Sequence, residues 1–421
     1  MSLLRVIRPD EVARVVKPVV QDDLLLKAQS IVERVRREGI DAIRAYAAEF
    51  NECAPEDPIV LSREEMRSAY EQMDLDDRAA LERAAERIER FARAQRDSIQ
   101  PMTMDVPGGQ AGHTVEPVKA AGCYAPAGRY PLPSSVLMTA ITARAAGCER
   151  VVVASPGANP VTLAAAHIAG ADEFLSIGGA HAIAAMAYGF DGFERCDVIA
   201  GPGNAWVTAA KQLVSGAVGI DMLAGPSELL ILADDSADVQ VLAADLLAQA
   251  EHDTDAVPML VTTSEDQSRL IQTELQRQLD ELPTAATARE ALRNGFVVVC
   301  ESIEEAIEIA DTLAPEHLEI LTKNPEQVAA QVRNAGGVFI GSQTAEVLGD
   351  YGIGPNHTLP TGGTARFQAG LSVMHFLRLR TWIRIDDPIA SEPVLEDTMR
   401  IARMEGLIGH ERSARCRVQT P

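Results

Sequence analysis

Val151-Val152-Val153-Ala154 breaks at Ser155-Pro156-Gly157 and is followed, from Val161 to Ala169, by an alanine-rich stretch with no turn former inside it. A short apolar run closed by turn residues reads as a buried strand, and the segment after it reads as a helix. The same alternation fills Val118 to Leu230. It returns between Leu229 and Ile340, where Leu229-Leu230-Ile231-Leu232, Met259-Leu260-Val261 and Phe296-Val297-Val298-Val299 are strand candidates. Strands alternating with helices build parallel βαβ units, so the chain is expected to be α/β with two α/β domains.

On the amino-terminal side, residues 20 to 98 keep helical spacing at Leu24, Leu25, Ala28, Ile31, Val32 and Val35, and alternate charge with alanine from Arg83 to Arg96. Pro107-Gly108-Gly109 interrupts this pattern and marks a boundary. Beyond Gly370, His375-Phe376-Leu377-Arg378 leads to a helix expected at about Glu396 to Glu405. So short a tail holds no core of its own, and it reads as an arm that packs on something else.

Composition removes several function classes. With 61 acidic against 38 basic side chains the net charge is −23, which repels nucleic acid. The start of the chain shows no secretory leader and no apolar run is long enough to span a membrane, so a cytoplasmic protein without a membrane partner is expected. Six cysteines without a CxxC pair argue against a thiolate metal knuckle or a disulfide framework. A metal here would have to be held by His, Asp, Glu or amide oxygen.

Three clusters carry chemistry. Gln249 and His252 lie in the run Leu246 to Asp253 at helical spacing, so a carbonyl oxygen and an imidazole can meet one cation; from spacing alone an exposed polar helix end is the favoured reading. Ala314-Pro315-Glu316-His317-Leu318 follows a helix whose start is marked by Ser302 and Glu305. Pro315 discourages further helix and places Glu316 and His317 on a constrained turn entering a strand, two proton acceptors of different pKa; the alternative is a solvated loop. The long Gly/Pro-rich stretch Gly349 to Arg366, carrying Asp350, Asn356 and His357, forms no regular element, and a loop of that length is usually functional. Gly201-Pro202-Gly203-Asn204 begins like a dinucleotide fingerprint, but Trp206 stands where the third glycine belongs, so the glycine spacing itself predicts no cofactor.

Taken with Tyr124 to Arg129, Pro133 to Met138 and Ala224-Gly225-Pro226-Ser227-Glu228, these stretches closely resemble the histidinol dehydrogenase family from about residue 20 to residue 410. The resemblance implies two incomplete Rossmann-like α/β domains with small N- and C-terminal dimerisation segments. It divides the chain into an arm (1–16), a discontinuous first domain (17–98 and 229–367) with the metal and catalytic motifs, a second, NAD-side domain (99–228), and a dimerisation arm (368–421). It implies oxidation of a small-molecule substrate, L-histidinol, to L-histidine through bound L-histidinal, with two NAD and water, as the closing step of histidine biosynthesis. The implied Zn²⁺ ligands are Gln249, His252, Asp350 and His410, the last from the other subunit of a domain-swapped homodimer; manganese or cobalt also suits such a donor set. His317 is the implied base and Glu316 its partner in activating water. Ser227, Glu346, His357 and Glu405 join Gln249, His252, His317, Asp350 and His410 around the substrate, and Tyr124, His181 and Asn204 contact NAD. His181 stands where the family usually has glutamine, and an imidazole must choose a tautomer to replace an amide. A paralogue acting on another polar alcohol, such as a sulfonated propanediol, would need an added pocket cation, for which Arg129 and Arg366 are candidates. A zinc hydrolase would lack its HExxH helix here.

Overall fold

A computed structural model describes residues 3–15, 20, 22–127 and 131–418. In chain order the strands are β1 (Arg5–Ile7), β2 (Val60–Ser62), β3 (Met102–Val106), β4 (Gly109–Pro117), β5 (Ala120–Tyr124), β6 (Arg150–Ala154), β7 (Glu173–Leu175), β8 (Val198–Ala200), β9 (Gly219–Ile220), β10 (Glu228–Ala233), β11 (Val257–Thr262), β12 (Phe296–Val299), β13 (His317–Leu321), β14 (Gly337–Ile340) and β15 (Leu377–Ile385). The Val151 run is β6, and the alanine-rich stretch is the helix Pro160–Ile168, whose cap, Asn159, accepts from the Val161 amide.

Two parallel sheets result, as the rhythm predicts. The first runs β2-β7-β6-β5-β8-β9 and is parallel except for β2; the second runs β1-β12-β11-β10-β13-β14. In each, the chain moves outward on one side and then returns to add strands on the other. The order reverses between β5 and β8 in the first sheet and between β10 and β13 in the second. Central strands are buried on both faces, which is why β6 and β10 are apolar without alternation. Each fully buried Val, Leu or Ile in them contributes roughly 1.5–3 kcal/mol, so these runs outweigh any surface preference.

The segments join these sheets differently from the division expected above. The described part of the expected 1–16 arm, residues 3–15, carries β1, the edge strand beside β12. Within the 17–98 segment β2 joins the first sheet, pairing antiparallel with β7, while the helix Leu75–Asp97 meets the 349–366 loop through Arg87, whose Nε donates to the Gly352 carbonyl. The segment's helix Asp22–Glu38 also needs cover for Ala28, Val32 and Val35, and finds it on the helices Gly179–Tyr188 and Ala205–Val214. Both sheets lie in one compact unit, residues 1–93 with 118–376.

Residues 94–117 and 377–421 form a second unit. Here β4 pairs antiparallel with β15 from Gly109↔Ile385 to Pro117↔Leu377, and β3 pairs with the other edge of β4. The stretch 99–117 is therefore a partner of the tail, not the start of the NAD-side domain; nine residues of ladder outweigh its chain proximity to β5. Helices Glu392–Met404 and Ile408–Arg415 complete this unit, whose Leu379, Ile383, Ile389 and Met404 are exposed. Among the described residues no helix is long and apolar enough to cross a membrane.

Candidate active site

The second sheet presents its chemistry at the amino ends of its strands. Helix Ile303–Leu313 stops at Ala314, a non-glycine residue held at φ 45°, and that left-handed turn swings Pro315 and the buried Glu316 and His317 into β13. Such a conformation costs an alanine about 1–2 kcal/mol, so the packing around the turn holds it in place. Ser302 caps this helix as expected, accepting from the Glu305 amide.

His317 Nδ1 lies 2.9 Å from the Glu228 carbonyl. A carbonyl only accepts, so Nδ1 carries the hydrogen and Nε2 is left with its lone pair. Nε2 has no hydrogen-bond partner and lies 3.4 Å from Glu346 Oε1. Burial pushes the His317 pKa down to about 4, so the ring is neutral at physiological pH. Glu316 Oε2 accepts from the Glu228 amide at 2.8 Å and stands 3.5 Å from His317 Nδ1. Burial, reinforced by neighbouring carboxylates, raises its carboxyl well above the ordinary range. The backbone of Glu228 thus orients both members of the pair, while its own side chain accepts from the Gly362 amide and is pushed by burial to a pKa of about 7.

Helix Val239–Ala250 starts at the cap Asp238 and ends before His252, so Gln249 and His252 do not share a helical face. A turn instead brings His252 Nε2 to 3.4 Å from Asp350 Oδ2. Gln249 is wholly buried with neither amide atom hydrogen-bonded, an arrangement that costs free energy unless something fills it. Asp350 Oδ1 also lies 3.6 Å from His357 Nδ1. Burial opposes ionisation of Asp350, but the His252 hydrogen bond and the nearby imidazoles hold its pKa below the ordinary value. Glu346 is pushed up to about 8 by burial and by the charge of Asp350, and neither of its oxygens has a hydrogen bond. One ligand atom each from His317, Glu346 and Asp350 lie within 4.8 Å of one another.

The loop carrying Asp350 and His357 is tied to the helix Pro133–Ala146. His357 Nδ1 bonds the Asp350 carbonyl at 3.1 Å and its Nε2 meets Ser135 Oγ at 3.3 Å; Asn356 donates to the Met138 carbonyl. Ser227 immediately precedes β10, one residue from Glu228. Glu405 and His410 belong to the second unit, at the end of Glu392–Met404 and in Ile408–Arg415, and both are exposed. Arg129 lies outside the described residues.

At the carboxyl end of the first sheet, Tyr124 ends β5 and its hydroxyl accepts from the Gly179 amide at 3.0 Å. Asn204 caps helix Ala205–Val214 through its side-chain oxygen. His181 is 1% exposed; its Nε2 meets Glu52 Oε2 at 2.8 Å and its ring lies against Tyr46 and Phe50, while Nδ1 is unpartnered. The imidazole is thus engaged by Glu52, a residue that carried no sequence signal. Glu228 and Ser135 lay inside stretches already singled out, but nothing local reveals that the Glu228 backbone holds the pair or that Ser135 meets His357.

One sheet offers helix amino termini at its order reversal, where such folds bind dinucleotides, and the other holds a neutral imidazole among buried acids. Together they define an α/β oxidoreductase. The family model for histidinol dehydrogenase matches residues 17–418, and the chain belongs to that family. It is 45% identical over 386 residues to the histidinol dehydrogenase of Thermus thermophilus, covering 91% of this chain and 92% of the relative. The crystal structure of histidinol dehydrogenase from Elizabethkingia anophelis superposes with a TM-score of 0.92 at 32% identity, covering 99% of this chain and 98% of that one. An acetylating aldehyde dehydrogenase from Geobacillus thermoglucosidasius, with a TM-score of 0.50 at 15% identity over 89% of this chain and 96% of that one, shares the fold alone.

Proposed function

We propose that this protein is an NAD-dependent dehydrogenase that oxidises L-histidinol to L-histidine in two hydride transfers, the last step of histidine biosynthesis. The observation that carries the reading is the His317 tautomer: a neutral ring with Nδ1–H anchored on a backbone carbonyl and Nε2 open toward Glu346. Nε2 takes the alcohol proton as hydride leaves the carbinol carbon, and NAD⁺ supplies the hydride acceptor. The aldehyde stays in the pocket. Glu316, whose carboxyl burial holds well above the ordinary range, works with His317 to draw a proton from water attacking the aldehyde carbon. The second hydride then leaves the hydrate. One alcohol, two NAD⁺ and one water give one carboxylate, two NADH and three protons.

The unpartnered Gln249 amide and the His252–Asp350 pair fit a Zn²⁺ ion, with His410 of a second copy of the chain as the remaining ligand in a domain-swapped dimer. Bound there, Zn²⁺ would orient the substrate through its amino and imidazole nitrogens. Ser227, Glu346, His357 and Glu405 are the further substrate contacts, and Tyr124 and Asn204 face the dinucleotide. The sulfonated alternative is not favoured: Arg366 bonds the Gly363 carbonyl, and the charged groups described in the pocket are acids and imidazoles.

The test follows NADH with limiting L-histidinol, with and without a chelator. Two NADH per substrate, lost on chelation, are expected. No turnover of histidinol beside activity on another alcohol would overturn the reading.

A further inference from the structure

Lys211 and Asp221 are buried in the first sheet's half of the molecule, their side chains 2% and 0% exposed, and they form an ion pair with each other. Neither takes part in the chemistry above. A buried pair of this kind loses so much hydration that an apolar pair of similar volume is often at least as stable. What an apolar pair could not do is grip one residue by both its backbone groups. Lys211 Nζ donates to the Gly201 carbonyl at 2.9 Å, and Asp221 Oδ2 accepts from the Gly201 amide at 2.8 Å. Asp221 Oδ1 also accepts from the Met222 amide at 2.6 Å.

Gly201 opens the turn Gly201-Pro202-Gly203-Asn204, which joins β8 to helix Ala205–Val214 beside the order reversal between β5 and β8. Its φ is 125°, and a Cβ there would stand 2.0 Å from the Tyr124 carbonyl oxygen, so the turn is pressed against the end of β5. Asp221 lies just past β9, where the chain leaves this sheet for β10. Thr208 on the same helix holds the Ala224 carbonyl at 2.5 Å, and the Gly225 amide donates to Thr361 Oγ1. The ion pair therefore fixes the turn that enters the helix, while Thr208 and Thr361 hold the segment that leads on to β10.

We propose that Lys211 and Asp221 are positioning residues for the dinucleotide: the pair sets the Gly201–Asn204 turn so that the amino end of helix Ala205–Val214 meets the pyrophosphate. This rests on the NAD-dependent reading above.

The test uses the full-length protein. Trp206, in the first turn of that helix and 37% exposed, is one of two tryptophans, so a Trp382→Phe background isolates its fluorescence as a direct reporter of NADH binding. In Lys211→Met and in Lys211→Met/Asp221→Asn, the NADH Kd should rise by at least about tenfold, the equivalent of roughly 1.4 kcal/mol. The KM for L-histidinol and kcat at saturating NAD⁺ should hold, and Lys211→Arg should recover most of the affinity. Asp221→Asn removes the ion pair while keeping an oxygen for one of the two amides, Gly201 or Met222, and gives the same readout should Lys211→Met fail to fold. An unchanged NADH Kd in folded variants overturns the proposal, as does a parallel loss of histidinol affinity and kcat, which marks a merely structural role. An unsubstituted protein that neither binds NADH nor reduces NAD⁺ overturns the functional reading instead.

Discussion

Replacing His317 by asparagine separates the jobs of its two nitrogens. The amide offers an N–H in place of Nδ1, which donates to the Glu228 carbonyl at 2.9 Å, and has nothing where Nε2 stands. Loss of a general base costs on the order of 10²- to 10⁴-fold, so kcat for L-histidinol should fall by that factor, a barrier increase of roughly 3–5 kcal/mol. Stability carries a second, independent signature. The folded pKa is about 4, against 6.5 for an ordinary histidine, because burial disfavours the imidazolium. Between those values the unfolded chain takes up a proton that the folded chain refuses, so stability falls as pH drops from about 7 toward 4 and is unaffected above that window. The full difference corresponds to about 3 kcal/mol. His317→Asn has no group titrating there, so its unfolding free energy should gain on that of the parent by about this amount between pH 7 and 4. Urea unfolding of both chelator-treated proteins at several pH values reads the second signature and saturating kinetics the first. Equal pH slopes in the two proteins, or a kcat within tenfold of the parent's, would refute the reasoning.

Glu316→Gln should leave the first hydride transfer and impair the hydration step, so a single turnover yields one NADH with aldehyde accumulating; equal loss of both oxidations would count against Glu316 as a water activator. Gln249→Leu removes a buried amide with no partner, so the chelator-treated protein should melt higher by about 1–3 kcal/mol of stability while zinc uptake, followed with a colorimetric chelator, is lost. Gly201→Ala drives a methyl into the Tyr124 carbonyl and should destabilise the fold by more than about 3 kcal/mol, read as a lowered denaturation midpoint. His181→Leu takes from the Glu52 carboxylate one of its two partners, leaving the Gly178 amide, and should cost about 1–3 kcal/mol of stability with the NADH Kd unchanged; a rise in Kd would mark His181 as a cofactor contact.

The strand-helix rhythm was fully legible, because buried parallel strands announce themselves as unbroken apolar runs and their partners lie close in the chain. Pro315 likewise announced the turn that sets Glu316 and His317, though not that Ala314 takes a left-handed conformation to make it. Long-range pairing was not legible. Nothing between Val60 and Ser62 says that they will join β7 across more than a hundred residues, or that Gly109 to Pro117 will wait for Leu377 to Ile385. His252 was read on a helix that ends two residues too early, and the turn that replaces it still delivers the ring to Asp350. His181 shows the same limit: its identity was visible, but Glu52, 129 positions away, decides which way it faces.

Apart from the edge strands β2 and β1, the two sheets share one strand order, yet the candidate residues lie at opposite ends of the strands. In folds of this order the inherited crevice lies beyond the carboxyl ends of the strands, at the reversal. In the second sheet that end is laced together by hydrogen bonds. Asp234, just past β10, accepts from the Ser236 and Lys323 amides, while Gln267 bridges the Asp234 and Ala237 carbonyls to Thr262. Glu228 and His317 stand on the opposite rim, where they begin β10 and β13. A fold rule applied without the side chains would send a ligand search, or a drug screen, to the end away from Glu228 and His317.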